Sequence, residues 1–553
     1  QEKLGMQNSL CVPHVYDLTS AVTPGKTCLI TIRIDNRIKE INVCPDSHSI
    51  TDQTQGNWNG IVGRIELQAT PKVHFEDIQI YPDLRNQKAL VRMNIQSASS
   101  TKGDITLSAE SFNADTQHKV APVQQSFHIR PGDNAIEMEL PMGKDFLTWD
   151  EFNRALYKLT AKLTNGKQSD IKQVQFGMRD FKIEGKWFYV NGRKTMLRGT
   201  VENCDFPLTG YAPMDVASWE RVFRICRNYG LNHMRFHSFC PPEAAFIAAD
   251  LVGFYLQPEG PSWPNHGPRL GNGQPIDKYL MDETIALTKE YGNYASYCMF
   301  ACGNEPSGRW VAWVSKFVDY WKATDTRRVY TGASVGNSWQ WQPHNEYHVK
   351  AGARGLSWAG AQPESESDYR ARIDTVKQPY VSHETGQWCV FPNFNEIRKY
   401  TGVNKAKNFE IFRDILNDNH MGGQSYDFMM ASGKLQALCY KHEIEKTLRT
   451  PDYAGFQLLA LNDYSGQGTA LVGVLDVFFE EKGYINAEQF RRFCSPTVPL
   501  ARIPKFVYAN DETFHADTEV SHFGAAPLQG AKTSYTIKNK FGKVYAKGTV
   551  GTQ

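Results

Sequence analysis

The stretch that decides the fold is CMFACGNEPSG, residues 298–308. Five apolar or small residues and then Gly303 lead to Asn304 and Glu305, and Pro306 then stops any regular continuation. A buried strand that ends in a carboxylate is typical of a parallel α/β structure, because working side chains there lie at the carboxyl ends of the strands.

The sequence on both sides of this stretch alternates between apolar strands and amphipathic helices. The helix pattern in 214–230, for example, ends at Gly230 as a helix with a glycine after its last turn does. Eight segments read as strands: KTMLRGT, LNHMRFHS, FYLQPE, SYCMFACGNE, RRVYTGAS, NEYHV, PYVSHE and AGFQLLALND. We therefore predict a (β/α)8 TIM barrel over residues 179–500.

The flanking regions have β patterns instead. In residues 1–72, TCLITIRIDN and IVGRIELQAT alternate apolar and polar residues, as half-buried strands do. Residues 73–178 contain short alternating segments at regular spacing, which predicts a β-sandwich. Residues 501–553 return to alternation and predict the start of a further sandwich.

Composition excludes several classes of protein. The chain has 553 residues, 61 basic and 59 acidic, so its charge does not favour nucleic acid as a partner. No apolar run approaches the ~20 residues that cross a bilayer, so we expect no membrane insertion. The 11 cysteines lack paired spacing, and their odd number forbids a complete set of internal disulfides.

Acids, amides and aromatic residues lie at the carboxyl ends of the predicted barrel strands, where an active site is expected. In chain order they are Glu202, Asn203, His237, Glu259, Trp263, Asn304, Glu305, Tyr347, Glu384, Trp388, Asn462 and Asp463. His344 and His348 lie near Glu346, but their spacing fits no metal-ligand motif well, and we expect neither a metal nor a cofactor.

Glu305 and Glu384 come from the fourth and seventh predicted strands. Carboxyl groups that reach inward from these strands can approach within ~5 Å, the separation that double displacement at an anomeric carbon requires. Two carboxylates at this distance cannot both ionise freely, so one remains protonated and can act as an acid while the other attacks.

The tetrapeptide Gly303–Pro306 closely resembles the Asn-Glu motif of glycoside hydrolase family 2, the β-galactosidase, β-glucuronidase and β-mannosidase family. Residues 188–259 resemble the family's opening barrel segment, and the resemblance covers nearly the whole chain. It implies a partial jelly-roll sugar-binding-like domain at 1–72, an immunoglobulin-like sandwich at 73–178 and the start of a C-terminal sandwich at 501–553.

The resemblance also implies roles. Glu305 would be the acid/base, Glu384 in SHETGQW the nucleophile, and Asn304 a donor to the sugar 2-hydroxyl. Tyr347 would lie beside the nucleophile, and the other strand-end residues would bind substrate. The chain departs from the family at Arg235-Phe-His-Ser-Phe-Cys-Pro, where Arg-x-Ser-His-Tyr-Pro is usual, and this places the identity of the sugar in doubt.

The expected activity is retaining, exo-acting hydrolysis of a terminal β-linked sugar, with a β-D-galactoside as the leading substrate. A β-glucuronidase or galacturonidase that uses Arg198 or Arg235 stays open, as does an α-L-arabinopyranosidase. Alternatives of other classes are an inactive carbohydrate-binding protein and a metal-dependent hydrolase. The expected partner is an oligosaccharide or a polysaccharide-derived glycoside, homo-oligomerisation is left open, and the resemblance favours a periplasmic or secreted location over the cytoplasm.

Overall fold

Antiparallel sheets flank one parallel α/β region in this chain. The computed structural model describes residues 2–35, 58, 60–263, 269–464 and 471–550. Within these residues, no helix is both long and apolar enough to cross a bilayer.

The N-terminal stretch forms no strand among its described residues, 2–35 and 60–72. Leu29 and Ile65, which the alternating pattern would turn towards a core, are 93% and 75% exposed. Alternation yields a stable strand only when a neighbouring strand pairs with the backbone and covers the apolar face. The strand predictions are therefore wrong for these residues, which do not build the predicted jelly roll; the rest of that prediction lies outside the described residues.

Residues 73–176 form a sandwich of two antiparallel sheets. Its strands are β1 Val73–Asp83, β2 Lys88–Ser97, β3 Thr101–Phe112, β4 Lys119–Ile129, β5 Gly132–Pro141, β6 Leu156–Asn165 and β7 Gln168–Phe176. The strand orders are β1-β2-β5 and β4-β3-β6-β7. Ile80 and Val91 from the first sheet share one buried cluster with Leu107 and Leu159 from the second. These two packed sheets agree with the sandwich that alternation predicts for 73–178.

A small antiparallel sheet follows, made of β8 Phe181–Glu184, β9 Trp187–Val190 and β10 Arg193–Thr195. Asn191 and Gly192 connect β9 to β10 with φ of 52° and 78°, as a two-residue hairpin turn of this type requires. The Asn-Gly hairpin prediction is therefore confirmed. Phe188 of this sheet packs beneath the parallel region, with its ring 5.6 Å from that of Tyr347.

Among the described residues, eight parallel strands build the central region, and each overlaps one of the predicted strands. They are β11 Leu197–Glu202, β12 His233–Phe236, β13 Tyr255–Gln257, β14 Met299–Phe300, β15 Val329–Tyr330, β16 His348–Lys350, β17 Tyr380–Thr385 and β18 Gly455–Leu458. Six form one sheet in the order β13-β12-β11-β18-β17-β16, and β14 pairs with β15. Parallel bridges join Glu259 to Ala301 and Val335 to Lys350, so the smaller sheet connects to both edges of the larger one. The carboxyl ends of all eight strands therefore lie on one side.

Helices cover the parallel strands. They are α1 Val216–Asn228, α2 Glu243–Val252, α3 Pro275–Tyr291, α4 Trp310–Thr324, α5 Arg370–Ile373, α6 Lys407–Asp418, α7 Ser425–Leu448 and α8 Ala487–Arg491, with 3-10 turns at Phe394–Lys399 and Gly422–Gln424. The side chain of Asp215 caps the start of α1, and Gly230 follows its end with φ of 84°. The sequence-based end of this helix is therefore confirmed.

The C-terminal strands form two hairpin-like pairs. β19 Thr497–Arg502 pairs with β20 Asp517–His522, and β21 Thr533–Lys538 pairs with β22 Val544–Val550. The alternation seen at the end of the sequence therefore corresponds to real strands. The predicted boundary at residues 500 and 501 falls inside β19.

Buried polar contacts join the sandwich to the parallel region. Arg198 on β11 forms an ion pair of 3.1 Å with Glu151, and the two side chains are only 2% and 3% exposed. Asn232 donates to the same carboxylate over 3.1 Å. Trp149 donates its indole N–H to the carbonyl of Asp250 over 2.8 Å. The loop that carries Trp149 and Glu151 is thus held by several specific contacts.

Replacing Arg198 with methionine is expected to lower the free energy of unfolding by about 3 kcal/mol, because the buried Glu151 carboxylate loses its nearest cation and keeps only Arg193 at 3.9 Å. Urea-induced unfolding followed by tryptophan fluorescence measures this loss. The control is Arg224→Met, which breaks the exposed pair with Glu220 on α1. That change is expected to cost less than about 0.5 kcal/mol, and equal losses in the two variants would contradict the assignment.

Candidate active site

Glu305 and Glu384 lie at the carboxyl ends of the parallel strands, and both have unusual backbone geometry. Their φ angles are 40° and 51°, in the left-handed region that residues with side chains rarely adopt. A register shift interrupts the pairing of β17 between Ser382 and Thr385, around Glu384. Backbone strain of this kind persists where surrounding structure enforces it and is common at functional sites.

Gly303 explains how the chain reaches Glu305. Its φ is 155°, and a Cβ atom at this position would lie 2.2 Å from the carbonyl oxygen of Ser262. No residue with a side chain fits there without moving the backbone. The glycine therefore lets the chain pass close to Ser262 and turn Glu305 towards the mouth of the strands.

Three basic groups surround the Glu384 carboxylate. Its Oε1 lies 3.3 Å from His383 Nε2, 3.5 Å from His237 Nε2 and 3.7 Å from Arg235 Nη1. Burial alone would raise the pKa of Glu384, but His383 and His237 hold this pKa well below the ordinary value. Burial lowers the pKa of His383 to about 4. The imidazole is therefore neutral near pH 7, and it stabilises the carboxylate by N–H donation.

Glu305 has the opposite electrostatic surroundings. Burial, followed by the negative charge of Glu384, raises the pKa of Glu305 to about 7. The indole N–H of Trp263 donates to its Oε2 over 3.3 Å. Near neutral pH the site therefore pairs an ionised Glu384 with a Glu305 that still binds its proton. The separation of ~5 Å between the two carboxyl groups stays a prediction.

Asn304 is held by its carbonyl oxygen, which leaves its amide nitrogen available. Oδ1 accepts from Arg235 Nη2 over 2.7 Å and hydrogen-bonds His383 Nε2 over 3.1 Å. Nδ2 is buried and has no hydrogen-bond partner among the described residues. A buried donor without a partner is costly, and a ligand hydroxyl would remove this cost.

Glu259 lies beneath the site and is held by protein groups, so the structure gives no support to its predicted contact with substrate. It is 0% exposed and pairs with Arg235 over 2.7 Å. It also accepts from the Ser334 hydroxyl over 2.6 Å and from the Ser238 N–H over 2.9 Å. All these partners are protein groups, so Glu259 positions Arg235 and is shielded from ligands.

Tyr347 also lies below the mouth, and its predicted contact with Glu384 stays a prediction. It is fully buried, and its hydroxyl donates to Gln257 over 3.1 Å. Strand β16 begins one residue later, so its side chain points into the interior between the strands and the hairpin below. Burial and then the charge of Glu384 raise the pKa of the Tyr464 hydroxyl, which indicates that Tyr464 lies within electrostatic range of the nucleophile candidate.

Glu202 and Asn203, at the end of β11, are held mainly by protein atoms. Glu202 accepts from the Cys204 N–H over 3.1 Å, and burial, then the charge of Asp205, raises its pKa to about 8. Asn203 donates to the carbonyl of Leu459 over 3.2 Å. Both side chains are thus held at the mouth but are largely engaged by protein atoms.

Asn462 and Asp463 serve loop structure in this fold. Asn462 donates to the carbonyl of Asp463 over 3.1 Å. The Asp463 carboxylate pairs with Lys482 over 2.5 Å and accepts from the Gly473 N–H over 2.9 Å. Their predicted contact with substrate stays a prediction.

The two predicted tryptophans differ in their partners. Trp263 contacts both Glu305 and the ring of His237, whose centroid is 5.3 Å away. Trp388 is half-buried and donates to Glu443 over 2.6 Å. Only Trp263 therefore touches a carboxylate of the proposed pair.

Sequence reasoning missed several residues of the site. Arg354 donates from one guanidinium nitrogen to the carbonyls of His383 and Glu384, and its charge acts on Glu305. No motif marks it, because it follows β16 by four residues in an irregular loop. His383 was visible beside Glu384, but its bond to Asn304 depends on two strands that are distant in sequence.

No group of three or more His, Cys, Asp or Glu residues with metal-binding geometry occurs in the described part of the chain.

Comparison with protein families supports the architecture. The model of glycosyl hydrolases family 2 matches residues 73–179, which include the whole sandwich. A second model, a domain of unknown function, matches residues 512–553.

Curated relatives are similar over much of the chain. A putative β-glucuronidase of Formosa agariphila is 24% identical over 455 residues, which are 79% of this chain and 48% of the relative. A β-galactosidase of Thermoanaerobacterium thermosulfurigenes is 31% identical over 256 residues, which are 46% of this chain and 34% of the relative. The chain thus spans about half or less of the length of these relatives.

Solved structures share the fold. A family 2 member from Bacteroides cellulosilyticus superposes with a TM-score of 0.56 at 15% identity, over 87% of this chain and 59% of that chain. A β-galacturonidase from Eisenbergiella tayi gives a TM-score of 0.57 at 15% identity, over 81% and 77%. Together with the Asn-Glu pair at the end of a parallel strand, these likenesses show that the chain is similar to glycoside hydrolase family 2 in its sandwich and in the fold of its parallel region.

Proposed function

We propose that this protein is a retaining, exo-acting glycoside hydrolase with Glu384 as nucleophile and Glu305 as acid/base. The observation that carries the proposal is the opposite electrostatic treatment of two carboxyl groups at one mouth. The pKa of Glu384 is held low by His383 and His237, whereas burial and the Glu384 charge raise the pKa of Glu305 to about 7. Double displacement at an anomeric carbon needs one ionised and one protonated carboxyl group.

In the first step, the Glu384 carboxylate attacks the anomeric carbon while Glu305 donates its proton to the glycosidic oxygen. The bond between that carbon and oxygen breaks, the leaving alcohol departs, and the sugar stays as an ester on Glu384. In the second step, ionised Glu305 removes a proton from water, and the water oxygen attacks the anomeric carbon. The ester bond breaks, Glu384 is released as a carboxylate, and the product retains the original configuration.

The same charge coupling explains how Glu305 serves as acid and then as base. The negative charge of Glu384 contributes to the raised pKa of Glu305. Formation of the ester removes that charge, so the pKa of Glu305 falls at the moment when the group must lose its proton. The reaction intermediate itself thus prepares Glu305 for the second step.

Asn304 is proposed to bind the sugar 2-hydroxyl. Its carbonyl oxygen is bound by Arg235 and His383, which leaves Nδ2 as a buried donor without a partner in the described residues. A hydrogen bond to this hydroxyl that strengthens in the transition state supports glycoside hydrolysis.

A terminal β-D-galactoside is proposed as the leading substrate. Neither arginine considered for binding a uronic acid is available, because Arg198 pairs with Glu151 away from the mouth and Arg235 pairs with Glu259. Arg354 supports a second candidate, a β-D-uronide, since its guanidinium donates to the backbone carbonyl of Glu384 and its charge acts on the Glu305 carboxyl group. An α-L-arabinopyranoside has the ring geometry of a galactoside and belongs in the same substrate panel.

Further parts of the proposal concern the whole chain. We propose that the eight parallel strands and their helices form a (β/α)8 barrel and that the sandwich at 73–178 is immunoglobulin-like. A periplasmic or secreted location, with an oligosaccharide or a polysaccharide-derived glycoside as substrate, is proposed from the family resemblance.

A catalytically inactive carbohydrate-binding protein is the competing hypothesis. It requires that at least one of Glu305 and Glu384 is displaced from the mouth or otherwise disabled. Both residues lie at the carboxyl ends of parallel strands and are partly exposed, and the charge of Glu384 raises the pKa of Glu305. This arrangement supports the enzyme over the binding protein.

Replacing Glu384 with alanine is expected to reduce turnover of nitrophenyl glycosides on the order of 10⁴-fold, because the covalent step is lost. Azide should restore turnover and yield a glycosyl azide of inverted configuration, identified by NMR. Glu305→Ala should instead lose on the order of 10²- to 10⁴-fold on glycosides with poor leaving groups, and azide should yield a product of retained configuration.

The matched control for both variants is Glu488→Ala, which removes a surface glutamate that is 82% exposed. Its turnover is expected to equal that of the unmodified protein. Wild-type activity in either active-site variant, or azide products with exchanged configurations, would contradict the proposed roles.

The pH profile of kcat/KM is expected to fall above about pH 7, because Glu305 loses its acidic proton as the pH passes its pKa. Glu384, whose pKa is low, should stay ionised across the neutral range. Initial rates with an alkyl glycoside measure this limb. A dinitrophenyl glycoside needs little protonation of its leaving group, so its fall should be weaker, and identical profiles for both substrates would exclude Glu305 as the acid.

A further inference from the structure

A cleft of about 560 Å³ opens beside the proposed acid/base. Its walls are residues 308–312, which include the first turn of α4, and the loop at 338–340. This volume lies within the range of clefts that bind small ligands. The residues assigned above to the reacting sugar do not line it, so the cleft is a separate surface.

Trp339 connects this cleft to Glu305. Its indole N–H donates to the carbonyl of Pro306 over 2.9 Å. A Cβ atom placed on Gly336 would lie 2.7 Å from the Trp339 ring and 3.0 Å from Glu305 Oε1. The separation between the Trp339 ring and Glu305 Oε1 therefore cannot exceed the sum of these two distances. Trp339 is half-buried, so part of the ring remains open to the cleft.

A buried lysine holds the loop that carries Trp339. Lys350 on β16 is 4% exposed, and its ammonium group donates to the carbonyls of Gly336 over 3.1 Å and Asn337 over 2.9 Å, and also to that of Trp339. Three contacts from one rigid strand fix the loop against the site. The Trp339 side chain is thus held in place before a ligand binds, and such preorganisation lowers the entropic cost of binding.

We propose that this cleft binds the first sugar of the leaving group, with the face of that sugar stacked on Trp339. This inference rests on the proposed function, in which Glu305 protonates the glycosidic oxygen, so the leaving group must lie on the Glu305 side. A pyranose ring has an apolar face of C–H groups, and covering it with an indole removes apolar surface from water. Arg309 and Gln340, which also line the cleft, supply donors for its hydroxyls.

The inference names a substrate class. The preferred substrate is an oligosaccharide that carries at least one sugar after the cleaved bond, and a glycoside of a small alcohol is a poor one. Specificity for the leaving group is then set by Trp339, separately from the residues that bind the reacting sugar.

The test compares two kinds of substrate with the same reacting sugar, which is the sugar of the best nitrophenyl glycoside in the panel. The first kind is a set of β-1,3-, β-1,4- and β-1,6-linked disaccharides, and the second is the methyl glycoside. Both leaving groups are alkoxides that need protonation, but only the disaccharide presents a ring to the cleft. Trp339→Ala is expected to lower the ratio of kcat/KM for the best disaccharide to that for the methyl glycoside by about tenfold.

Two variants serve as controls. Trp339→Phe keeps an aromatic face and should retain most of the ratio. Tyr426→Ala removes an aromatic side chain on α7 that is 60% exposed and does not line the cleft, so it should leave the ratio unchanged. A ratio that stays constant in Trp339→Ala, or that falls equally in Tyr426→Ala, would overturn the inference while nitrophenyl glycoside turnover still supports the proposed function. Wild-type protein that hydrolyses no glycoside would refute both.

Discussion

The buried ion pair between Arg235 and Glu259 is the interaction on which the site depends. Both side chains are 0% exposed, and the carboxylate is further bound by Ser334 and Ser238. A cation in this position is stable only because its partner is fixed beside it, since an unpaired buried charge is strongly destabilising. The guanidinium then reaches upward to Asn304 over 2.7 Å and towards Glu384 over 3.7 Å. One charge below the mouth thus orients an amide and stabilises a carboxylate above it.

This arrangement separates the two carboxyl groups chemically. Glu384 lies among Arg235, His237 and His383, whereas Glu305 has Trp263 and the negative charge of Glu384 as neighbours. Both residues have left-handed backbone angles, which the contacts around them must enforce. The backbone geometry therefore fixes the position of each carboxyl group, and the neighbouring charges set its protonation state in the resting site.

The cleft beside Glu305 extends this logic to the leaving group. Lys350 fixes the loop at Gly336 and Trp339 from a strand of the parallel region, as Arg235 fixes Asn304. On each side of the site, a buried cation, Lys350 or Arg235, thus holds the protein groups above it in place. The sandwich at 73–176 does not contribute to these contacts, and it packs through Glu151 and Trp149 on the opposite part of the parallel region.

The amino-acid sequence by itself determined the eight parallel strands, the Asn-Gly hairpin, the helix end at Gly230 and the acids at the ends of strands four and seven, because these features depend on local periodicity and turn chemistry. It could not decide the outcome at 27–35, where alternation lacks a pairing strand, or distinguish Tyr347 from Tyr464. Both tyrosines lie near strand ends, and only the tertiary structure decided which one points inward and which lies within electrostatic range of Glu384. The partners of Glu259, Asp463 and Arg354 were likewise invisible, because their contacts join residues far apart in the chain. Burial and electrostatic environment are properties of the packed strands, and they decide what a carboxyl group in the sequence can do.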